Sequence, residues 1–337
     1  MDSIQPSFSG KNPAKPNQPF EQTNLRNSII KSINDLLPTE GQALHTAAKV
    51  HFQSYGKLIR GITALMMAQA VGLDKKCGIN WALSVELMHN ASLVHDDICD
   101  GDTQRRKNST VWSATSERTA ICFGDWLVAK SFEAAIESCS SSDREKLGAV
   151  SRLAQTMIRL CEGQSSEFET PPILDWHSYD KVVLEKTTSL ILAAGEGPLL
   201  LGGVIDYQSN IKRALSYLGI AYQINNDIDD IAGKNLGRIP GDLRRRTPNA
   251  VIVAFYNLLE NQNKSQFVEW ISTRDVENID YWTQQFSVSG ALEICHHRSL
   301  DLLNSADQHL NKISKEFRAA FSPLIQYLER TNQRHFG

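Results

Sequence analysis

Two acidic clusters are the feature of this sequence most able to do chemistry. The first lies in VHDDICDGD (94–102), where four of seven consecutive positions are aspartates: Asp96, Asp97, Asp100 and Asp102. On a helix, Asp96 and Asp100 would lie one turn apart on the same face. The second cluster lies in QINNDIDD (223–230) and places Asn226, Asp227 and Asp230 at positions i, i+1 and i+4. Both clusters follow long apolar stretches that are typical of buried helices.

Carboxylates this close repel one another unless water or a cation lies between them. Oxygen ligands suit Mg²⁺, which binds proteins through one or two carboxylates and completes its shell with water and substrate phosphates. Each cluster alone fits equally well a solvated helix end without any ligand. The presence of two such clusters, each after an apolar helix, favours the metal site.

Basic residues elsewhere in the chain provide partners for phosphate oxygens, Arg as a bidentate donor and Lys as a point charge. The candidates are Lys57 and Arg60 in GKLIR, the pair Arg105 and Arg106, Lys186 beside Thr187, and Arg238. Together with the acidic clusters and the apolar helices, they predict a pocket for an apolar chain that carries a diphosphate group.

The elements that must position these residues are helices. Helical apolar patterns cover residues 79–98, 151–160, 213–231 and 250–259, and alternation typical of strands is nearly absent. Loops are predicted at 138–143, 170–175, 233–248 and 260–265. The 337 residues, 41% of them hydrophobic, therefore predict an all-α, single-domain helical bundle around an apolar cavity, spanning residues 24–337. Residues 1–23 are polar and rich in Pro, Ser and Asn, and we expect a disordered tail there.

Bulk properties exclude several classes of function. A net charge of −3 argues against a nucleic-acid partner. The six cysteines are scattered without a CxxC pair, which predicts neither a zinc site nor a disulfide framework and favours a reducing, cytoplasmic setting. The most apolar stretch, TTSLILAAGEGPLLLGGVI (187–205), includes Glu196 and Pro198, so we expect a buried core helix, broken or kinked near Pro198, rather than a transmembrane segment.

Several ordered motifs resemble the trans-isoprenyl diphosphate synthases, the family of trans-prenyltransferases with two aspartate-rich motifs. The matching stretches are GKLIR, ELMHNASLVHDDICDGDTQRR, FGDWLVAKSFE, EGQSSEFE, EKTTSLI and QINNDIDD. The resemblance implies condensation of isopentenyl diphosphate with an allylic diphosphate: the allylic C–O bond ionises, the alkene attacks the cation, and a proton is lost. It also implies a homodimer and the cofactor Mg²⁺.

The resemblance assigns a role to each matching residue. Asp96, Asp97 and Asp100 would bind Mg²⁺ on the allylic diphosphate, and Asp227 and Asp230 would hold another Mg²⁺ from the opposite helix. Isopentenyl diphosphate would be held by Lys57, Arg60, His89 and Arg106. The allylic diphosphate would contact Arg105, Lys186 and Gln223, while Thr187 would steady the developing cation. Without the motif, His89 would be read as a core histidine.

Three positions depart from the family pattern. Asn226 replaces the first aspartate of the second motif, and Glu167 stands where the family usually has Asp. In GKNLGRIPGDLRRRTP (233–248), Arg238 lies near the position expected for a diphosphate-binding Lys.

The resemblance also addresses product length. Ala91 and Ser92, about one turn before Asp96, are small, and in the family small residues there let the chain grow beyond farnesyl diphosphate. We therefore expect geranylgeranyl diphosphate as the product, with Met88 and Phe123 as candidate floor residues of the channel.

Three other functions remain open from the sequence. A class I terpene cyclase shares the fold and the DDxxD motif, but Asp230 and Lys234 stand where its metal triad needs Ser or Thr and Glu. A non-catalytic subunit of a heteromeric synthase usually loses aspartates, whereas DDICD is intact here. Transfer of the prenyl chain to a peptide is the third alternative.

Overall fold

The computed structural model describes residues 18–138, 143–169, 172–232, 241–273 and 278–336. Within these ranges the chain forms seventeen α-helices and one hairpin of two short strands. The elements are α1 Gln18–Leu36, α2 His45–His51, α3 Ile59–Val71, α4 Lys75–Cys99, β1 Gln104–Arg105, β2 Asn108–Ser109, α5 Val111–Ala114, α6 Glu117–Glu137, α7 Asp143–Glu169, α8 Trp176–Glu185, α9 Thr188–Leu201, α10 Gln208–Ala232, α11 Gly241–Arg245, α12 Ala250–Leu258, α13 Asn261–Ser272, α14 Ile279–Val288, α15 Ala291–Leu310, α16 Lys315–Ala320 and α17 Ser322–Phe336.

The predicted all-α fold is confirmed, but the structure departs from the sequence prediction at the end of the tail and in two predicted loops. Helix α1 begins at Gln18, so the end of the tail expected at residue 23 falls inside a helix, and residues 1–17 lie outside the described residues. The loop predicted at 233–248 contains the short helix α11 at Gly241–Arg245, and the loop predicted at 260–265 is wrong, because α13 begins at Asn261. The polar residues there form the exposed side of an amphipathic helix whose other side buries Phe267 and Trp270.

Side-chain caps determine where several helices begin. Asp74 accepts hydrogen bonds from the backbone amides of Lys76 and Cys77 at the start of α4, and Asn249 accepts one from Val251 at the start of α12. Helix α4 runs to Cys99, with Asp100 as its C-cap and Gly101 at φ +66°. The first acidic cluster therefore occupies the C-terminal end of a helix, where exposed carbonyl groups make the dipole negative.

Helix α9 joins two hydrophobic clusters. One cluster centres on α10, α12 and α15, and α9 contributes Ile191 and Leu199 to it. The other centres on α1, α3, α4 and α6, and α9 contributes Leu190 and Leu201 to it. The prediction that 187–205 contains a buried core helix is confirmed, but α9 continues past Pro198 to Leu201 rather than breaking there. Among the described residues, no helix is both long and apolar enough to cross a membrane.

The contact between α9 and α4 depends on the absence of a side chain at Gly197. The indole of Trp81 lies fully buried against this glycine and donates a hydrogen bond from Nε1 to the carbonyl of Ala193 at 3.1 Å. A methyl group at Gly197 would come within 2.0 Å of the indole ring. Since Trp81 is held on all sides, it cannot move aside without disturbing the core.

We expect Gly197→Ala to lower the free energy of unfolding by about 1–3 kcal/mol, because it forces an extra carbon into a packed core. The measurement is thermal and urea unfolding followed by circular dichroism. Gly148→Ala on α7 is the matched control, since a methyl group there meets no atom within 4 Å. That control should leave stability unchanged or raise it by about 0.5–1 kcal/mol. Equal melting temperatures for the two variants would contradict this account of the α4–α9 contact.

Candidate active site

A cavity of about 310 Å³ opens where the C-terminal ends of α4 and α10 approach each other. Its polar lining includes Ser92, Asp96 and Asp100 of α4, Arg105 and Arg106 of the hairpin, Gln164 and Glu167 of α7, Lys186 and Thr187 before α9, Gln223 and Asn226 of α10, and Asp242 and Arg245 of α11. Most residues that the sequence singled out therefore meet at one place, although they are far apart in the chain.

The first acidic cluster divides between the cavity and its wall. Asp96 and Asp100 line the cavity, as the helical spacing predicts. Asp97 does not line it: its carboxylate is buried and accepts two contacts from Arg105, at 2.8 Å from Nε and 2.7 Å from Nη2. In this arrangement Asp97 holds Arg105 in place through Oδ1, and its predicted role as a metal ligand stays a prediction.

Burial raises the pKa of both cavity-facing carboxylates, Asp96 and Asp100, and the neighbouring aspartates raise it further. Lys186 opposes the rise at both positions, and Arg245 opposes it at Asp100, because a nearby positive charge favours the ionised carboxylate. For Lys186, burial lowers the pKa, but Glu167 and Asp96 outweigh burial and the net direction is upward. The lysine is therefore a firmly charged ammonium inside the cavity.

The second acidic cluster presents only Asn226 to the cavity. Asp227 is fully buried and accepts hydrogen bonds from the Tyr179 hydroxyl, the Gln223 amide and the Ala250 backbone amide, each at 2.7 Å. Burial raises the pKa of Asp227 well above its usual value, and these three donors act in the opposite direction.

Asp230 lies beside the first turn of α11. Its carboxylate accepts hydrogen bonds from the backbone amides of Gly241 at 3.0 Å and Asp242 at 2.9 Å. Neither Asp227 nor Asp230 lines the cavity. Their predicted metal role thus stays a prediction.

The donor set on α4 fits a hard divalent cation. Within the described ranges, no side chain or amide donates a hydrogen bond to the Asp96 carboxylate, so its oxygens are available. The same ranges contain no preformed group of three His, Cys, Asp or Glu side chains around one point. Two carboxylates one turn apart, with the remaining ligands taken from water and substrate phosphate, are typical of Mg²⁺ sites.

Lys186 pairs with Glu167, whose Oε2 lies 2.6 Å from the lysine Nζ. Position 167 is one of the departures from the family pattern, and here its longer carboxylate reaches the lysine across the cavity wall. Next in the chain, Thr187 donates a hydrogen bond from Oγ1 to Oε1 of Gln223 at 2.7 Å. Both residues predicted beside the reacting centre are therefore held by side-chain partners.

Arg245 is a cavity residue that the sequence prediction missed. Its guanidinium lies 3.2 Å from Asp102, 3.0 Å from Asp242 and 3.8 Å from Asp100, so it joins the end of α4 to α11. The signal was the run of three arginines in GDLRRRTP, which the sequence prediction passed over for Arg238. Arg238 itself lies outside the described residues.

A second cavity, also of about 310 Å³, adjoins the first. Its lining includes Lys57, Arg60, His89 and Arg106, which are the four residues predicted to hold isopentenyl diphosphate. Arg60, His89, Arg106 and Tyr222 line both cavities. Burial and the adjacent arginines lower the pKa of His89 well below its usual value, so its imidazole is neutral.

The β1–β2 hairpin determines where Arg106 lies. Arg106 and Lys107 form its two-residue turn with φ +53° and +70°, the left-handed conformation that such hairpins require. Arg106 donates to the carbonyl of Ser54 at 3.0 Å, and its guanidinium would lie 2.5 Å from a methyl group at Gly56. Gly56 also has φ +64°, a conformation that favours glycine in GKLIR, and a side chain there would displace the Arg106 guanidinium.

Of the residues predicted to set chain length, only Ser92 lines the cavity. Ala91, Met88 and Phe123 are fully buried behind that wall. The apolar part of the lining comes instead from Leu93, Leu160, Val182, Val183 and Leu190. The helix ending in DDICD therefore supplies one side of the apolar region, and α7, α8 and α9 supply the others.

Comparisons with known proteins agree with this geometry. The geranylgeranyl pyrophosphate synthase of Geoglobus acetivorans is 33% identical over 315 residues, covering 89% of this chain and 92% of that protein. The solved geranylgeranyl pyrophosphate synthetase of Pyrococcus horikoshii superposes with a TM-score of 0.80 at 23% identity, covering 94% of this chain and 98% of that one.

A second solved structure is the polyprenyl synthase of Caulobacter crescentus in complex with calcium and isoprenyl diphosphate. It superposes with a TM-score of 0.79 at 22% identity and covers 94% of this chain and 98% of its own. Residues 41–286 match the family described as Polyprenyl synthetase. The chain therefore belongs to the polyprenyl synthetase family and is a prenyltransferase of the isoprenyl diphosphate synthase type.

Proposed function

We propose that this enzyme condenses isopentenyl diphosphate with an allylic diphosphate in a reaction that depends on Mg²⁺. The observation that supports this most directly is the pair of adjoining cavities. One has the acidic α4 wall facing Lys186, and the other has the basic residues Lys57, Arg60 and Arg106. An acidic and a basic subsite side by side suit a metal-bound diphosphate next to one held by protein cations alone.

In the first cavity, Asp96 and Asp100 would hold the metal, which when bound supplies positive charge to the departing diphosphate. Lys186 and Arg105 line the same space and offer further positive charge to that group. Thr187 and Gln223 face the position of the allylic carbons and leave an oxygen-rich surface beside the developing cation. The surrounding leucine and valine side chains exclude water from that cation.

In the second cavity, Arg60, Arg106 and Lys57 would bind the diphosphate of the acceptor. His89 is neutral and lies 3.4 Å from Arg60, measured from Nε2 to Nη1, so it can orient the guanidinium without adding charge. Because Arg60, His89 and Arg106 line both cavities, the acceptor alkene would lie next to the allylic carbon. No covalent nucleophile is needed, since charge placement and proximity supply the catalysis.

The wild-type enzyme should consume isopentenyl diphosphate and an allylic diphosphate in Mg²⁺ buffer, and EDTA should abolish turnover. Asp96→Asn should lower kcat by at least about a hundredfold, because it removes a metal ligand from the cavity. Product analysis by mass spectrometry provides the measurement. Asp301→Asn, at an exposed position of α15 away from the cavity, is a surface control and should retain activity. A wild type that converts the allylic diphosphate without consuming isopentenyl diphosphate would support a terpene cyclase instead.

We propose geranylgeranyl diphosphate as the main product. Ser92 is the small residue of α4 that lines the cavity, and no Phe, Tyr or Trp of α4 lines it. The lining beyond Ser92 is aliphatic, from Leu160 and Leu190. Support also comes from the Geoglobus acetivorans relative, whose name states that product.

Ser92→Phe should shorten the product to farnesyl diphosphate, because the ring fills the space along α4. Ala91→Phe is the comparison variant: Ala91 is fully buried behind the wall, so a ring there should damage folding more than it changes chain length. The measurement is the product distribution by chromatography, with melting temperature measured in parallel. An unchanged distribution in folded Ser92→Phe enzyme would show that another wall sets the length.

We also propose a homodimer formed through α6 and α7. Exposed apolar residues recur on both helices: Ile121 at 47% and Ile136 at 55% on α6, and Leu147 at 69% and Ile158 at 56% on α7. Half-buried Val128 and Phe132 continue the α6 stripe between the two isoleucines. An apolar surface of this extent on two packed helices is typical of an interface with a second copy.

The wild type should elute with a mass about twice 37.6 kDa in size-exclusion chromatography with light scattering. The double variant Ile121→Asp with Ile136→Asp should elute as a monomer, because charges in an apolar interface stay unpaired. Ile205→Asp, at a position that is 75% exposed outside α6 and α7, is the control and should leave the mass unchanged. A dimer that survives the double variant would place the interface elsewhere.

A further inference from the structure

A chain of hydrogen bonds runs from the cavity into the core through Asp227. Thr187 donates to Oε1 of Gln223, and Nε2 of Gln223 donates to Oδ1 of Asp227, both at 2.7 Å. The other carboxylate oxygen, Oδ2, accepts from Tyr179 and from the backbone amide of Ala250, also at 2.7 Å. Thr187 and Gln223 line the cavity, whereas Tyr179 and Asp227 are fully buried.

The carboxylate decides which way the Gln223 amide faces. A backbone amide can only donate, so the Ala250 contact makes Asp227 an acceptor at Oδ2. At Oδ1 the nearer atom of Gln223 is the amide nitrogen Nε2, which can only donate, so Asp227 accepts there as well. The amide oxygen then faces Thr187, and the threonine hydroxyl must give its proton to that oxygen. The lone pairs of Oγ1 are consequently left for the cavity.

We infer that Asp227 is a positioning residue that fixes the direction of the Thr187 hydroxyl proton through Gln223, and that it does not bind metal. This inference deepens the proposed function and rests on it for the identity of the cation that Thr187 faces. A hydroxyl whose proton points away from the cavity presents negative partial charge to an allylic cation. The same hydroxyl with its proton turned inward would oppose that cation, so the effect falls on the transition state.

The rest of the second motif agrees with this assignment. Asn226 is its only member that lines the cavity, and an amide is a weaker metal ligand than a carboxylate. Asp227 does not line the cavity, and moving its carboxylate there would give up three protein donors inside the core. The Ala250 amide and the Tyr179 hydroxyl would then be left unpaired inside the core, which is unfavourable.

An isosteric exchange tests the inference. In Asp227→Asn, the introduced amide oxygen can still accept from Tyr179 and Ala250. The introduced NH₂, however, faces Nε2 of Gln223, and two donors cannot form a hydrogen bond. The glutamine amide must then rotate, and its nitrogen turns toward Thr187. Adding Gln223→Glu restores the original pattern, because the introduced carboxylate accepts from both the new amide and Thr187. The double variant also has the net charge of the wild type.

We expect Asp227→Asn to lower kcat by about tenfold to a hundredfold with little change in KM, and the double variant to recover to within about threefold of wild type. Binding of Mn²⁺ together with inorganic diphosphate, measured by electron paramagnetic resonance, should be the same within about twofold in wild type and Asp227→Asn. Asp96→Asn is the positive control and should weaken that binding at least about tenfold. Equal loss of Mn²⁺ binding in Asp227→Asn and Asp96→Asn would overturn the inference. So would a folded double variant no more active than the single variant.

Two of these readouts do not depend on the proposed reaction. Melting temperatures of the wild type, the two single variants and the double variant form a double-mutant cycle. In this cycle the double variant should be more stable than Asp227→Asn alone. If the wild type fails to consume isopentenyl diphosphate, the proposed function fails. The Mn²⁺ measurement and the stability cycle still decide whether Asp227 binds metal or orients Gln223. A cycle without coupling would then reject the positioning role.

Discussion

Negative charge at the C-terminal ends of two helices is the constraint that shapes this molecule. Asp96 and Asp100 end α4, and Asp227 and Asp230 lie in the last turns of α10. The helix dipole is already negative there, so each carboxylate is disfavoured by its own helix as well as by its neighbours. Burial adds a further cost, because a charge removed from water must find a partner. The compensating cations and hydrogen-bond donors come from β1, α8, the segment before α9, α11 and α12.

The compensation differs from one aspartate to the next, and that difference assigns their roles. Asp97 has an arginine of its own, Asp227 has three neutral donors, and Asp230 has the first amides of α11. Asp96 and Asp100 receive the least from the protein and face the open space. The carboxylates with the fewest protein partners are therefore the ones suited to a cation from solution. Those with many partners organise the wall around it.

Sequence patterns predicted the all-α class and the burial of α9, because helical period and apolar stretches are local properties. The ordered motifs, through their resemblance to a known family, predicted that most site residues meet in one place. They could not distinguish the role of Asp96 from that of Asp97. Adjacent residues on a helix point in different directions, and only the structure shows which partner each one meets. Arg245 was missed because its three aspartate partners belong to α11 and to the end of α4. The start of α13 was missed because its first turns are polar, and the apolar residues that reveal the amphipathic face come only later in the helix.

The position of α9 between the two hydrophobic clusters has a consequence for how the chain reaches this structure during synthesis. The cluster built on α1, α3, α4 and α6 needs Leu190 and Leu201, which the ribosome adds only after α7 and α8. A nascent chain that ends in α7 therefore exposes the face of Trp81 that Gly197 later covers. At about 5–20 residues per second, that exposure lasts for seconds, long enough for a chaperone to engage the growing polypeptide.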